Sequence, residues 1–495
     1  MSGTPCPNAV QSGRSILWSP VKVDASASTW RFFSALANGT LDYAGARAVF
    51  RPYTGAATQH WRLVPPPPPA GPLALWTPPI PLPILAIAGY NAPDGRVLLW
   101  TSSQRDSFAT GELRTFSALL DPATGDVSAT LLTSLQADMF CPGTAMLADG
   151  RLLVAGGVTS GATNLCNGTA WARSARLAVR RGYNAAVALP DGGAFTLGGS
   201  WSGGVGGKIG EAFNGTAWRP LPGVPSDPFL TRDAAGAYRS DNHMWLFAGG
   251  GGWVFHAGPS RAMHWVDTAG PGAVRPAGNR SDDSDAMNGV ACVFDVGMIL
   301  TAGGAGSYQG AVPSDRAYVI DISAGPGAPA RVSRTGPLNA PRAFHNAVVL
   351  PTGDVVVVGG QSGPTTLFVD SQAALSAEIW RPSTGRFELL AWSPGGTPFV
   401  TPRVYHSIAL LLADGRVLSS GGGGCGPTCL NNHLDAQARA GPRHRRRGAL
   451  VRPSVALIPA LPLSLPPTPP YLPLRLSLSR APLPSSLLPP PSLLP

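Results

Sequence analysis

The sequence predicts an all-β chain whose main body is a seven-bladed β-propeller. Three observations carry that expectation. A turn-then-strand unit recurs seven times between residues 72 and 437. Its copies start about 40–60 residues apart, the length of one four-stranded blade. Glycine (61) and proline (52) are abundant while charged residues make up only 13%, against about 25% in ordinary globular chains. That mix suits short strands joined by tight turns and argues against helical bundles.

The copies read DGRVLLW (94–100), DGRLLVAGG (149–157), DGGAFTLGG (191–199), DNHMWLFAGG (241–250), DVGMILTAGG (295–304), TGDVVVVGG (352–360) and DGRVLSSGG (414–422). Asp-Gly supplies the positive φ that a hairpin turn needs. The apolar run after it reads as a strand, and the closing Gly-Gly lets the backbone bend or approach a neighbour closely. The period is that of kelch-type blades and is too long for leucine-rich or ankyrin repeats.

Around this body lie three other segments. Residues 1–63 form a small N-terminal module of unknown type, ending in TQHWRLV. Its Gln59-His60-Trp61 resembles the Gln-x-Trp element of ricin-type lectin repeats, which leaves a glycan contact open; a partly buried Trp in an ordinary small module is the plainer alternative. Residues 64–71 include five consecutive prolines, Pro65 to Pro69, and read as a stiff linker. Residues 438–495 are rich in Pro, Leu, Ser and Arg, carry no turn-strand unit, and are expected to be a disordered or mis-assigned tail.

The net charge of +10 would by itself suggest a nucleic acid or anionic surface as partner. Eight arginines and no acidic residue fall in 438–495, so that segment holds +8 and the remainder +2. The body is therefore not a nucleic-acid binder. Six cysteines in 495 residues do not make a disulfide framework. Cys425 and Cys429, in Cys-Gly-Pro-Thr-Cys, suit a local disulfide better than a zinc site, because no second pair lies nearby. Asn38, Asn167, Asn214 and Asn279 head Asn-x-Ser/Thr sequons, which permit glycosylation in a secreted protein. No signal peptide is visible at the N-terminus, and no apolar run is long enough to span a membrane.

A propeller by itself implies no chemistry. Four stretches combine unusual polar and aromatic residues: DMFCPG (138–143), RRGYNAA (180–186) with GGSWSGG (198–204), YRSDNHMW (238–245), and RVYHS (403–407). Taken singly, each has a structural reading. Cys141 would be a small apolar residue, Tyr183 and Trp201 aromatic core, and Arg239 the partner of nearby Asp241. Neighbours in a strand point to opposite faces, so Tyr405 and His406 can act together only from a loop or distorted strand end.

Together these stretches resemble the galactose oxidase family of copper radical oxidases. The likeness extends in order from about Val97 to Gln437, through DSFATG, PDGxxFTLGGSWSGG, AGPSRAMHW, DAMNG, SYQG, RAFHNAVVLP, RVYHS and NNHLDAQ. It implies that Cys141 forms a thioether with Tyr183, a modified phenol that stores an oxidising equivalent as a radical. Tyr183, Tyr405 and His406 would bind copper, Tyr405 taking the substrate hydroxyl proton, and Trp201 would stack over the thioether. Arg239, Gln309, Phe108 and Phe368 match pocket residues, and Arg239 with Trp201 points to galactose. His345 and His433 match segments but carry no ligand role, and are read as structural.

The resemblance thus implies a secreted enzyme that oxidises a primary alcohol, in galactose, galactosides or related compounds, to an aldehyde while O2 becomes hydrogen peroxide. The chemistry is coherent: Cu(II) favours nitrogen and oxygen donors, and removing two electrons needs an organic partner besides one copper. In the family a second histidine ligand comes from a C-terminal domain. Beyond Gln437 the only histidine is His444, in an arginine cluster that matches nothing. On that ground the chain is expected to have impaired activity and an open edge at the last blade. The alternative is an inactive kelch-like propeller that binds glycans or proteins through its loops.

Overall fold

The computed structural model describes residues 76–107, 112–168, 170–364, 368–390, 401–425, 429 and 432–438, with the backbone of strands inside 19–63 and at 457–459. Residues 64–71 and the rest of the tail lie outside the described residues. Seven four-stranded antiparallel sheets form the body, as the repeat predicts. The innermost strands of blades 1 to 7 are Ala88–Asn91, Gly143–Met146, Ala185–Ala188, Trp245–Gly250, Val290–Asp295, Ala343–Val349 and Ser407–Leu411. Among the described residues no helix is long and apolar enough to cross a membrane.

Six of the seven turn-strand copies fall where expected, on the hairpin and second strand of a blade. The strands after those turns are Val97–Trp100, Leu152–Ala155, Ala194–Leu197, Met298–Ala302, Val355–Gln361 and Val417–Gly421. The fourth copy is displaced. DNHMWLFAGG covers the innermost strand of blade 4, and the second strand is Trp253–Gly258. Here a glycine run makes the turn, with Gly250, Gly251 and Gly252 at φ of 81°, 57° and 80°.

The expected open edge does not exist. The fourth strand of blade 7 is Ile80–Pro81, antiparallel to Asp435–Ala438, so the start of the propeller closes its end. A sheet edge left unpaired would expose backbone donors and acceptors, and this two-residue strand covers it. Outside the propeller, a six-stranded sheet contains five strands between Ser19 and Leu63; Leu457–Pro459 pairs with Trp61–Leu63.

Apolar clusters fill every junction between neighbouring blades. Val97 and Leu99 of blade 1 meet Leu418 and Ala436 of blade 7, and Phe255 and Trp265 of blade 4 meet Ile299 and Ile320 of blade 5. Ion pairs tie the entry to the innermost strand of blades 3, 6 and 7 to the third strand of the same blade: Arg181 with Glu211 at 2.8 Å, Arg342 with Glu378 at 2.7 Å, and Arg403 with Asp435. The first residue of the Gly-Gly pair explains its own identity. A Cβ at Gly303 would lie 2.6 Å from the Arg342 carbonyl oxygen of the next blade, and Gly156, Gly198, Gly359 and Gly421 are equally crowded.

Candidate active site

The site forms at one end of the axis, where chain enters the innermost strands. Cys141, Tyr183, His243, Asn288, Phe344 and His406 stand at those entries on blades 2 to 7, with φ between 55° and 62°. Left-handed backbone is uncommon for such residues and costs energy unless the surroundings hold it. Here it turns each side chain from the strand direction toward the shared axis. It also resolves the problem posed by adjacent Tyr405 and His406. The kink at His406 brings the two rings to 3.8 Å between centroids, on the same side.

Three donor atoms converge there. The Tyr183 and Tyr405 hydroxyls are in direct hydrogen-bond contact, and Tyr183 Oη lies 3.0 Å from His406 Nε2. His406 Nδ1 lies 2.7 Å from the Gly423 carbonyl oxygen. A carbonyl can only accept, so Nδ1 carries the proton and Nε2 presents a lone pair to the phenols. Cys141 Sγ is 3.8 Å from the same Nε2, and the Tyr183 amide donates to the Cys141 carbonyl at 2.8 Å. The backbone thus clamps Cys141 to Tyr183.

Two residues that the sequence reading passed over complete the cluster. Tyr308 donates its hydroxyl hydrogen to Tyr405 Oη at 2.6 Å. His243 packs at 4.5 Å against the Tyr183 ring and stacks at 5.7 Å on Tyr308. Both sit in motifs already named, SYQG and YRSDNHMW, close to Gln309 and Arg239. Only spatial proximity separates them from core aromatics.

Burial governs the electrostatics. It pushes the phenols of Tyr183 and Tyr308 well above their ordinary range and raises Tyr405 too. It raises the Cys141 thiol and lowers the imidazoles of His243 and His406 to about 4. The pocket therefore gathers neutral phenols and neutral imidazoles in a poorly solvated space. Such a set has oxygen and nitrogen lone pairs to offer a cation, and a bound cation would release the phenol protons. The donor chemistry fits copper.

The remaining site residues surround this cluster. Trp201 lies against Tyr183 at 4.8 Å, edge-on at 61° rather than face to face. Phe368 stacks on the Tyr405 ring at 4.1 Å and 16°. Arg239 does not pair with Asp241, whose carboxylate accepts from the Ser200 amide at 2.8 Å and its hydroxyl at 2.6 Å. The Arg239 guanidinium instead lies 5.3 Å above the Tyr308 ring. Half-buried Gln309 follows Tyr308 in the chain. Phe108 lies outside the described residues.

Cys425 and Cys429 are joined in a disulfide, the local bridge that their spacing favoured. His433 pairs with Asp370 at 3.0 Å, and His345 is buried between blades, so neither joins the donor cluster. An axial cavity of about 370 Å³ opens beside the site, lined in part by Pro142, Asn184, His243 and Trp245.

No family model matches the chain. A galactose oxidase from Gibberella zeae is 41% identical over 378 residues, covering 74% of this chain and 54% of that protein. An aldehyde oxidase from Arabidopsis thaliana is 24% identical over 329 residues, or 62% of this chain and 51% of its own length. The chain thus spans about half the length of the curated relatives it matches. Among solved structures, a fungal alcohol oxidase of the AA5 family in complex with copper matches with a TM-score of 0.69 at 35% identity. That match covers 75% of this chain and 77% of the other.

Proposed function

The chain belongs to the galactose oxidase-like AA5 family, and from that premise we propose that it is a copper-dependent alcohol oxidase. It takes a primary alcohol, the C6 hydroxyl of galactose or a related one, to the aldehyde while dioxygen is reduced to hydrogen peroxide. The observation that carries this reading is the meeting of Tyr183 Oη, Tyr405 Oη and His406 Nε2 in a buried, uncharged pocket.

Tyr183, Tyr405 and His406 would hold the metal. When bound, copper supplies a one-electron redox centre and the positive charge that makes a buried tyrosinate tenable. Tyr405, hydrogen-bonded to both Tyr183 and Tyr308, would receive the proton of the substrate hydroxyl. Tyr183, once cross-linked to Cys141, would supply the second one-electron oxidising equivalent, restored after each turnover by dioxygen. Bond formation between Cys141 Sγ and the Tyr183 ring removes one hydrogen from each, with dioxygen as acceptor. Trp201 and Phe140 screen that ring from water, and Arg239, Gln309, Phe108 and Phe368 orient the alcohol. Three exposed sequon asparagines, Asn167, Asn214 and Asn279, support a secreted location.

The test is peroxide release from galactose and simple primary alcohols by the copper-loaded chain. Release at any rate that requires copper and disappears in Tyr405→Phe supports the reading. A chain that binds copper yet oxidises none of these alcohols overturns it.

A further inference from the structure

We propose that Lys208 is a positioning residue for Trp201: its buried ammonium ties the glycine-rich loop that carries the indole to the segment leading into Tyr183. The loop runs from Ser200 to Gly207. Gly203, Gly204, Gly206 and Gly207 have φ of 71°, 96°, 71° and 62°. Glycine loses more conformational freedom on ordering than any other residue, and the tip residue Val205 is 64% exposed. Such a loop cannot hold a bulky indole in place without pins.

Lys208 is the central pin. Only 3% exposed, it donates from Nζ to the Arg180 carbonyl at 2.5 Å, to Ser202 at 3.2 Å and to Gly203 at 3.1 Å. Two of these carbonyls belong to the loop and flank the peptide just past Trp201. The third lies three residues before Tyr183. The three donors of the ammonium thus join both sides of the Trp201–Tyr183 contact through charge-assisted hydrogen bonds. Further pins secure the base: Ser202 Oγ donates to the Gly157 carbonyl at 2.7 Å, and the Gly206 amide donates to Ser200 Oγ at 2.9 Å. Gly203 has room only for hydrogen, since a Cβ there would collide with Arg180.

The charge of this pin is adjustable. Burial and, secondarily, the nearby Arg181 guanidinium lower the Lys208 amine to about 8, while Asp241 opposes them. Arg181 is itself held by Glu211, and Asp241 by Ser200. As pH rises through about 8 the amine loses a proton, keeps two donors for three carbonyls, and the grip weakens.

The consequence for catalysis rests on the oxidase reading; the geometry does not. Hydrogen exchange on the full chain without copper therefore tests the inference separately. In Lys208→Met the amides of 202–207 should exchange about tenfold faster than in the parent at pH 7, while strand Ala194–Leu197 keeps its protection. Lys208→Arg should recover part of that protection. In the parent, loop exchange corrected for base catalysis should accelerate between pH 7 and 9. Should Lys208→Met fail to fold, that pH series decides alone. Unchanged loop exchange in the variant, equal loosening of Ala194–Leu197, or a flat pH series would each overturn the proposal. Absence of alcohol oxidation by the copper-loaded parent would instead overturn the function and leave the loop result standing.

Discussion

His406 Nε2 stands 3.0 Å from the Tyr183 hydroxyl, although the two residues are 223 positions apart and come from blades 7 and 3. The ring is held by its other nitrogen, 2.7 Å from the Gly423 carbonyl. Its tautomer is therefore set before any metal arrives. His406→Ala should lower copper affinity by more than about 100-fold, beyond the usual effect of removing a group behind a ligand. Titration calorimetry measures it, and parent-like affinity would remove His406 from the ligand set.

Cys141 is clamped to Tyr183 through the backbone. Copper loading in air should shorten the intact mass of the parent by two hydrogens, mapped to a cross-linked peptide containing both residues. Cys141→Ala should show no such loss. An uncross-linked parent with full oxidase activity would rule out the thioether.

Arg239 has its guanidinium over Tyr308 and is absent from the ion pairs of the described residues. Under the proposed function it would bind substrate hydroxyls. Arg239→Ala should raise KM for galactose about tenfold and change kcat by less than about threefold, the pattern of lost uniform binding. Steady-state peroxide assays give both constants. A collapse of kcat with constant KM would assign Arg239 to the transition state instead.

Arg342 and Glu378 are fully buried and also bind the Gly359 carbonyl and the Asn339 amide. Removing one partner strands the other charge. Arg342→Met should cost about 3–5 kcal/mol, read from the urea midpoint. Since the pair lies behind the site rather than in it, copper affinity of the folded fraction should stay near that of the parent.

Acid should destabilise the chain. Burial holds His264 at about 4 and His345 at about 3, and keeps His256 well below its ordinary value of 6.5. Each folded-state value is depressed, so unfolding takes up protons below about 6.5. Their contribution is complete above that pH and is lost as pH falls toward 4 and then 3. Thermal unfolding without copper should show a midpoint that drops steadily from pH 7 to 4. A constant midpoint would mean that these imidazoles take up protons in the fold as readily as in the unfolded chain.

Much of the architecture could be read locally. Asp-Gly before an apolar run marks a hairpin wherever it occurs, because few other pairs accept the required backbone angles. Blade 4 escaped that rule because its turn is glycine alone and its Asp241 serves Ser200 instead. The closing strand Ile80–Pro81 escaped it as well. Two residues carry no period, and their partner lies more than 350 positions away.

The seven-fold β architecture is written in the repeat, and the family resemblance of short motifs singles out Cys141, Tyr183, Trp201, Arg239, Tyr405 and His406. Those are properties of short segments, each with its own turn chemistry or motif. Which of those side chains meet, the arrival of Tyr308 and His243 among them, and the separation of Arg239 from Asp241 emerge only in the closed ring of blades. Bending seven sheets around one axis, with a left-handed residue at six of the inner entries, turns remote side chains into neighbours. No local pattern records that convergence.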